Sequence, residues 1–112
     1  MKIYGIPNCG SVKKALDYVK ASGIEYEFID FKKQKPTSQQ VEAWARAVTM
    51  DKLFNTKGTK YKSSGLDYKT MDVAQKLSAL SAEPTMIKRP VIEYKGKVIV
   101  GFDEEMYKKE LI

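Results

Sequence analysis

Residues 2–29, KIYGIPNCGSVKKALDYVKASGIEYEFI, decide the fold because three hydrophobic patterns follow one another along them. The short apolar run over residues 2–6 predicts a strand, and Pro7 ends it. From Ser11 onward the apolar spacing becomes helical, and residues 24–29 then alternate as in a half-buried strand. The apolar face of this helix is formed by Val12, Ala15, Leu16 and Val19. A strand, a helix and a second strand in succession predict a βαβ unit whose two strands are parallel.

The middle of the chain predicts helices joined by polar segments. Thr37 followed by Gln40 is typical of a capping box, and an apolar helical face comes directly after it. That face is formed by Val41, Trp44, Ala45 and Val48. Residues 50–68 are polar and rich in turn residues, and only a short helix through Leu53 and Phe54 is expected there.

A third helix is expected in the segment before Pro84. It starts after Thr70 and runs to about Ala82, because proline cannot continue a helix. The residues predicted to face inward are Val73, Leu77 and Leu80.

The last third of the chain predicts a hairpin and a closing helix. Residues 91–94 and 97–100 are short strands separated only by Lys95 and Gly96, a tight turn. Asp103 can cap the closing helix. The inward side of that helix is expected to hold Met106, Tyr107 and Leu111.

These elements together predict an α/β fold of the thioredoxin-like (glutaredoxin-like) type. A parallel strand pair and an antiparallel hairpin combine into one mixed sheet in that architecture. We expect a single domain over residues 1–112, with the helical segment at about 38–82 inserted between its two halves. A chain of this length buries one core without disulfides or metal.

The composition excludes several classes of protein. The chain has one cysteine and no histidine, so we expect no internal disulfide and no transition-metal site. The N-terminal segment is too short and polar for a signal peptide, and no run of about 18 apolar residues predicts a membrane span. A reduced free thiol fits a cytoplasmic location.

The formal net charge is +6, but the basic residues are spread through every segment. All but two of the 20 are lysines, the exceptions being Arg46 and Arg89. Nucleic-acid readers concentrate their positive charge and use arginine forks. The spacing therefore favours a solvated lysine-rich surface over nucleic-acid binding, with a modest attraction for anionic substrates.

Cys9 lies between the first strand and the first helix, where α/β proteins tend to carry out chemistry. Free N–H groups and the helix dipole stabilise an anion there, Gly10 allows close approach of the backbone, and Ser11 supplies another donor. This position predicts a thiolate that needs no histidine and attacks an electrophilic sulfur or an oxyanion such as arsenate. The alternative is an inert, buried cysteine, against which the flanking turn residues argue.

Arg89 immediately precedes Pro90 and the strand of residues 91–94. The start of that strand is expected near the N-terminus of the first helix, where a guanidinium could hold an oxyanion or pair with a thiolate. Cis bonds make up only about 5–6% of X–Pro bonds. Spacing alone therefore favours a surface arginine beside a trans Pro90.

Three blocks of the sequence resemble the arsenate reductase-like (ArsC) family. They are IYGIPNCGSVKKAL at residues 3–16, LFNTKGTKY at residues 53–61 and PTMIKRPVIEYKGKVIVGFDEEMY at residues 84–107, in the family's order. The likeness covers nearly the whole chain and is strongest to the small bacterial YffB-type members, with the Spx regulators as relatives. The resemblance implies a thioredoxin-like fold with a helical insertion.

The resemblance also implies roles for individual residues. Cys9 matches the family's nucleophilic cysteine, which in arsenate reductases attacks arsenate and is then resolved by glutathione and glutaredoxin. Arg89 matches the arginine beside the family's cis-proline, here Pro90, and this arginine helps to hold the oxyanion. Lys57 falls where the family has a further basic oxyanion ligand. The other residues predicted to bind the substrate or oxyanion are the neighbours of the thiol, Asn8, Gly10 and Ser11.

Two departures from the family pattern bear on function. The arsenate enzymes carry another arginine after the last hairpin, where residues 100–103 of this chain have none. Oxidant-sensing Spx proteins carry a Cys-x-x-Cys pair and a basic C-terminal extension, whereas here Val12 stands three residues after Cys9 and no such extension is seen. These departures favour a reaction in which Cys9 works without a second cysteine and its disulfide is resolved by an external thiol. The missing arginine makes arsenate a weaker candidate for the substrate.

The leading hypothesis is a cytoplasmic monothiol oxidoreductase with Cys9 as its nucleophile. Its substrate would be a disulfide, a glutathione mixed disulfide or an oxyanion, with no bound cofactor. Glutathione or another small thiol would be the co-substrate and glutaredoxin a candidate partner. One alternative is an Spx-like transcriptional regulator that binds RNA polymerase without catalysis, and another is a thioredoxin-fold protein that has lost catalysis.

Overall fold

The computed structural model describes residues 1–111 of the sequence. They form two compact units, one made of residues 1–34 with those from 89 onward, the other of residues 35–88. The helical segment expected at about 38–82 lies within the second unit. The interpretation of the whole chain as one domain stays a prediction. Within the described part of the chain, no helix is both long and apolar enough to cross a membrane.

The regular elements follow one another in the predicted order. The strands are β1 (Lys2–Gly5), β2 (Glu27–Asp30), β3 (Val91–Tyr94) and β4 (Lys97–Val100). The helices are α1 (Gly10–Ala21), α2 (Ser38–Val48), α3 (Met50–Leu53), α4 (Thr59–Ser64), α5 (Val73–Ala82) and α6 (Glu104–Glu110). Two short 3-10 turns lie at Tyr68–Thr70 and Pro84–Met86.

The first unit is built on a four-stranded mixed sheet in the order β2-β1-β3-β4. β1 is parallel to β2 and antiparallel to β3, and β3 is antiparallel to β4. The helix α1 connects the parallel pair, as a parallel pair requires, and α6 follows β4. The predicted mixed sheet of the thioredoxin-like fold is therefore confirmed.

The β3–β4 hairpin is the element that the sequence predicts most closely. Its turn residues, Lys95 and Gly96, have φ values of 50° and 77°. A two-residue type I′ turn needs a positive φ at both central positions, and its twist matches that of the strands. Tyr94 pairs with Lys97 across the turn, and both strands begin and end at the predicted residues.

The core of the first unit joins the sheet to α1 and α6. Its buried members are Ile3, Ala15, Val19, Ile92, Ile99, Tyr107 and Leu111. The Asp103 carboxylate caps α6, as predicted, by accepting from the N–H groups of Glu105 at 3.0 Å and Met106 at 3.3 Å. The helix then buries Tyr107, whose hydroxyl donates to the Gly101 carbonyl at 2.6 Å.

The second unit is helical, and two of its helices begin with a capping box. Thr37 and Gln40 form the predicted box at the start of α2. Asp72 and Gln75 form another at the start of α5, which the sequence analysis did not predict. The helix α2 packs against α3 and α5, and its Trp44 is fully buried.

The predicted inward face of α5 is wrong at its first residue. Val73 is 65% exposed, whereas Leu77 is partly buried and Leu80 is fully buried. The side chains of α5 become more buried toward its C-terminal end, because only that half of the helix packs against the rest of the second unit. Helical spacing identifies a face, but it does not say how far along the helix the core extends.

The segment after α3 holds more structure than expected. The short helix through Leu53 is confirmed as α3, but α4 was predicted to be a polar turn-rich stretch. The helix α4 buries none of its residues, so it leaves no apolar pattern in the sequence. The ring of its Tyr61 contacts Phe54 edge-on, with the centroids 5.8 Å apart. Tyr68, in the 3-10 turn that follows α4, contacts the same ring at 5.1 Å and donates its N–H to the Tyr61 hydroxyl at 2.9 Å.

β2 is shorter than predicted. The first residue pair of the parallel ladder joins Lys2 to Glu27, so residues 24–26 lie ahead of it. The side chains of Ile24 and Tyr26 nevertheless pack against the core. Their alternation reflected side-chain burial rather than strand pairing.

Candidate functional site

Cys9, the lone cysteine, is the N-cap residue of α1. Its backbone is extended, with φ −92° and ψ 130°, and its carbonyl accepts from the N–H of Lys13 at 3.0 Å. Its own N–H donates to the Ile6 carbonyl at 3.3 Å, which ties the helix start to the residue after β1. The side chain is half-buried. The thiol is therefore held at the mouth of α1 rather than sealed in the core.

The pKa of the Cys9 thiol lies below its ordinary value. Burial raises the pKa, but the groups around the sulfur more than offset this effect. They are the Val12 N–H, the Arg89 guanidinium and the Ser11 N–H, and the positive charge of Arg89 adds to them. The Cys9 side chain makes no conventional capping hydrogen bond. We therefore attribute the effect of the two N–H groups to the ionised sulfur, which is the stronger acceptor.

Arg89 reaches Cys9 because of the strand order. β3 runs antiparallel to β1 and pairs Val91 with Tyr4, so the residues before β3 lie at the carboxyl end of β1. Arg89 is half-buried and its Nε is buried. The bond between Arg89 and Pro90 is cis, as the resemblance implied, and Pro90 is fully buried. The expectation from spacing alone, a surface arginine beside a trans proline, is therefore wrong.

Asn8, Gly10 and Ser11 flank the thiol and are exposed. Asn8 lies in the turn before Cys9, and the other two are the first residues of α1. A Cβ on Gly10 would meet no atom within 4 Å, so a side chain at this position would clash with nothing. Their roles toward a substrate stay predictions.

Val12 belongs to the site but was not predicted from the sequence to act on the thiol. Gly10 and Ser11 are the residues that the sequence predicts beside the thiolate, whereas the N–H groups that act on the sulfur belong to Ser11 and Val12. The role of the Val12 N–H could have been predicted from the sequence, because the side chain of an N-cap residue faces the N–H groups two and three residues later. Val12 was assigned only to the core, where its side chain is indeed fully buried.

Lys57 lies in the second unit, exposed in the turn before α4. Its part in an oxyanion site stays a prediction. Among residues 1–111 there is no group of three or more histidine, cysteine, aspartate or glutamate side chains that could hold a metal ion.

A mixed sheet in which β1 is parallel to β2 and antiparallel to β3, with a cysteine at the N-terminus of the first helix, defines a protein of the thioredoxin-like class. Within that class, the model of the ArsC family matches residues 4–110. The chain belongs to the ArsC family.

Several known proteins are similar to this chain over most of its length. An uncharacterized protein of Haemophilus influenzae is 33% identical over 106 residues, which cover 94% of this chain and 93% of that protein. The solved structure named YFFB (PA3664) protein has a TM-score of 0.91 and 30% identity, covering 99% of this chain and 98% of its own. An arsenate reductase of Rhizobium meliloti is 28% identical over 92 residues, 80% of this chain and 66% of the reductase. A global transcriptional regulator, Spx of Lactococcus lactis, is 24% identical and covers 92% of this chain and 80% of the regulator.

Proposed function

We propose that the protein is a monothiol oxidoreductase in which the Cys9 thiolate attacks an electrophilic sulfur. The observation that carries the proposal is the surroundings of that sulfur: two N–H groups of α1 and the Arg89 guanidinium favour the ionised form. A thiolate formed in this way needs no histidine base, and the chain has none. Similarity to arsenate reductases supports thiol chemistry in general. A free thiol stays reduced in the cytoplasm, where we place the reaction.

The proposed substrate is a mixed disulfide of glutathione. The Cys9 thiolate attacks the glutathionyl sulfur, a new S–S bond forms, the substrate's S–S bond breaks, and the released thiolate takes a proton from water. A second glutathione, as its thiolate, then attacks the glutathionyl sulfur held on Cys9. This step releases the Cys9 thiolate and oxidised glutathione. In the net exchange the incoming glutathione thiol is oxidised to the disulfide level, the substrate sulfur is reduced to a thiol, and the transferred glutathionyl sulfur stays at the disulfide level. In this cycle glutaredoxin is the candidate protein partner.

Arg89 serves both steps of this cycle. A thiol of low pKa is a better leaving group in thiol–disulfide exchange, so the guanidinium that stabilises the Cys9 thiolate also speeds its release in the second step. Pro90 is proposed to shape the groove for the substrate. The open side of the groove is proposed to be formed by Asn8, Gly10 and Ser11.

Arsenate is a weaker candidate substrate. A doubly charged oxyanion requires several well-placed cations, and residues 100–103 supply no arginine after the last hairpin. A lysine such as Lys57 offers a point charge and cannot replace the planar fork of an arginine. We therefore expect arsenate to be reduced more slowly than a glutathione mixed disulfide.

Two measurements test the proposal. The first is the rate of Cys9 alkylation by iodoacetamide as a function of pH, which is expected to show a midpoint below that of a free cysteine, about 8.5. The second is glutathione-dependent reduction of hydroxyethyl disulfide, with Cys9→Ser as the inactive control. A midpoint at or above the free-cysteine value would remove the premise of an activated thiolate. Loss of reaction with every disulfide and with arsenate would indicate a thioredoxin-fold protein without catalysis.

The similarity to Spx supports one alternative, a regulator that binds RNA polymerase without catalysis. The position of the second cysteine of a redox pair is taken by Val12, which disfavours an Spx-type switch. A pull-down of polymerase subunits at physiological salt separates the two functions. The regulator predicts retention of the subunits by both the wild-type protein and Cys9→Ser, whereas the oxidoreductase predicts retention by neither.

A further inference from the structure

Gly5, the last residue of β1, lies directly against the first turn of α1. An ideal Cβ on Gly5 would stand 2.8 Å from Cγ2 of Val12 and 3.7 Å from its Cγ1. Val12 is fully buried, and its branched side chain has little freedom to rotate away. The strand and the helix therefore approach more closely here than any side chain on residue 5 would allow.

We propose that Gly5 is a positioning residue for Cys9: its missing side chain sets the depth at which the first turn of α1 packs on β1, and thus where the N–H groups of Ser11 and Val12 stand against the sulfur. The inference rests on the proposed function, in which the thiolate of Cys9 is the reactive group. Gly5 itself touches neither the thiol nor a substrate in this account, and it acts through Val12.

The link from Gly5 to the sulfur runs through a single residue. The side chain that contacts Gly5 and the N–H with the largest favourable effect on the thiolate both belong to Val12. A side chain on residue 5 would displace the Val12 side chain and with it the Val12 N–H, because the hydrogen-bonded first turn of α1 moves as a rigid unit. Cys9 is held from both sides, because its carbonyl accepts from the N–H of Lys13 in α1 at 3.0 Å while its own N–H donates to the carbonyl of Ile6 at 3.3 Å, so it does not follow the helix freely. A displaced helix would thus change the separation between donor and sulfur.

The other glycine near the thiol provides a contrast. A Cβ on Gly10 would meet nothing within 4 Å, so the packing does not require glycine there. Gly5 is required by the packing although it lies farther from Cys9 along the chain. Glycine is therefore needed at residue 5 because β1 and α1 lie close together there, and not because the sulfur needs space.

The first test is Gly5→Ala, with Cys9 alkylation by iodoacetamide followed against pH in the full chain. We expect a midpoint displaced to higher pH and alkylation at pH 7 slower on the order of threefold, because the thiolate is the reacting form. Val19→Ala is the matched control, since it removes buried side-chain volume from the same helix two turns away. It is expected to lower stability in urea and to leave the alkylation midpoint unchanged.

The second test removes the atoms that Gly5→Ala would meet. The Val12→Ala background removes both Cγ atoms, which are the two nearest to the new methyl group, and keeps the Val12 Cβ 3.8 Å away. Gly5→Ala should therefore shift the alkylation midpoint in the wild-type background but not in the Val12→Ala background. Equal shifts in both backgrounds, or no shift in either, would overturn the inference.

A third variant covers the case in which Gly5→Ala does not fold. Val12→Ile keeps Gly5 and overpacks the same contact from the side of the helix, so it should displace the midpoint in the same direction by a smaller amount. An unchanged midpoint in folded Val12→Ile would count against the positioning role. These outcomes differ from failure of the proposed function, which would be seen in the wild-type protein as an ordinary cysteine midpoint.

Discussion

The guanidinium of Arg89 acts as a hydrogen-bond donor to the sulfur of Cys9, although the two residues lie far apart in the sequence. The pairing of β3 with β1 brings the arginine there, and the start of α1 supplies the N–H groups of Ser11 and Val12. Burial of the thiol raises its pKa, and the helix N–H groups and the arginine together outweigh that effect. The site is therefore a product of the sheet topology as much as of the local sequence.

Replacing Arg89 should raise the pKa of Cys9, because both the hydrogen bond and the positive charge of the guanidinium favour the thiolate. We expect alkylation at pH 7 to slow on the order of fivefold in Arg89→Gln, since the thiolate fraction falls. Arg89→Lys should be intermediate, because it keeps the charge but loses the planar fork. Iodoacetamide kinetics at several pH values measure both variants.

The same variants predict a reversal at high pH. A thiolate of higher pKa is intrinsically more nucleophilic, so above pH 10 Arg89→Gln should be alkylated faster than the wild-type protein. Arg46→Gln is the matched control, because Arg46 is exposed and pairs with Glu42 in the second unit. Slower alkylation of Arg89→Gln at every pH would indicate a blocked or distorted site rather than a changed pKa.

The lowered pKa of Cys9 predicts how stability depends on pH. Below the folded-state pKa the thiol is protonated in both states and the ionisation contributes nothing. Between the folded and unfolded values the unfolded chain binds more protons, so the free energy of unfolding rises with pH and the contribution is complete above the unfolded value. Urea unfolding at pH 6 and pH 9 should show the wild-type protein gaining stability relative to Cys9→Ser as the pH rises. A difference that shrinks over this range would mean that the folded state favours the thiol.

The fold could be predicted where a local pattern determines the structure by itself. The turn at Lys95 and Gly96 and the cap at Asp103 both formed where they were expected, because each depends on a few adjacent residues. The failures came where structure depends on distant groups. The helix α4 is held by ring contacts on Phe54, and the exposure of Val73 depends on where the neighbouring elements end.

The candidate site was predictable only in part, for the same physical reason. The position of Cys9 at a helix start follows from its neighbours in the sequence. The approach of Arg89 depends on the pairing of β3 with β1. The predicted topology allowed this approach, but spacing alone favoured a surface arginine, and the family resemblance was needed to reverse that choice. The close contact of Gly5 with Val12 depends on the depth of packing between strand and helix, for which hydrophobic spacing gives no signal.

Removing the hydroxyl of Tyr107 should destabilise the first unit. That hydroxyl is buried and donates to the Gly101 carbonyl at 2.6 Å, so Tyr107→Phe loses the bond and leaves a buried carbonyl with one partner fewer. A loss of about 1 kcal/mol in the free energy of unfolding is expected, measured by urea titration. Tyr26→Phe is the control, since Tyr26 is only partly buried. An effect no larger than that of the control would mean that the hydrogen bond contributes little.

The segment around α4 should loosen when the hydroxyl of Tyr68 is removed. That hydroxyl donates to the Asp51 carboxylate, and burial together with this carboxylate raises the pKa of Tyr68 to about 12. Tyr68→Phe keeps the ring contact with Phe54 and the Lys76 ammonium 3.8 Å from the ring centroid, so only the polar tie is lost. Hydrogen exchange over residues 59–70 should become several-fold faster, while exchange in α2 and α5 stays unchanged.

Asp51→Asn tests the same hydrogen bond by changing its acceptor. It removes the charge but keeps a neutral acceptor for the Tyr68 hydroxyl, so a smaller acceleration of exchange over residues 59–70 is expected. The double variant should show little more than Tyr68→Phe alone, because both substitutions remove one interaction. Additive effects, or faster exchange spread evenly over the second unit, would mean that Tyr68 and Asp51 stabilise the unit separately and that α4 is held by its ring contacts alone.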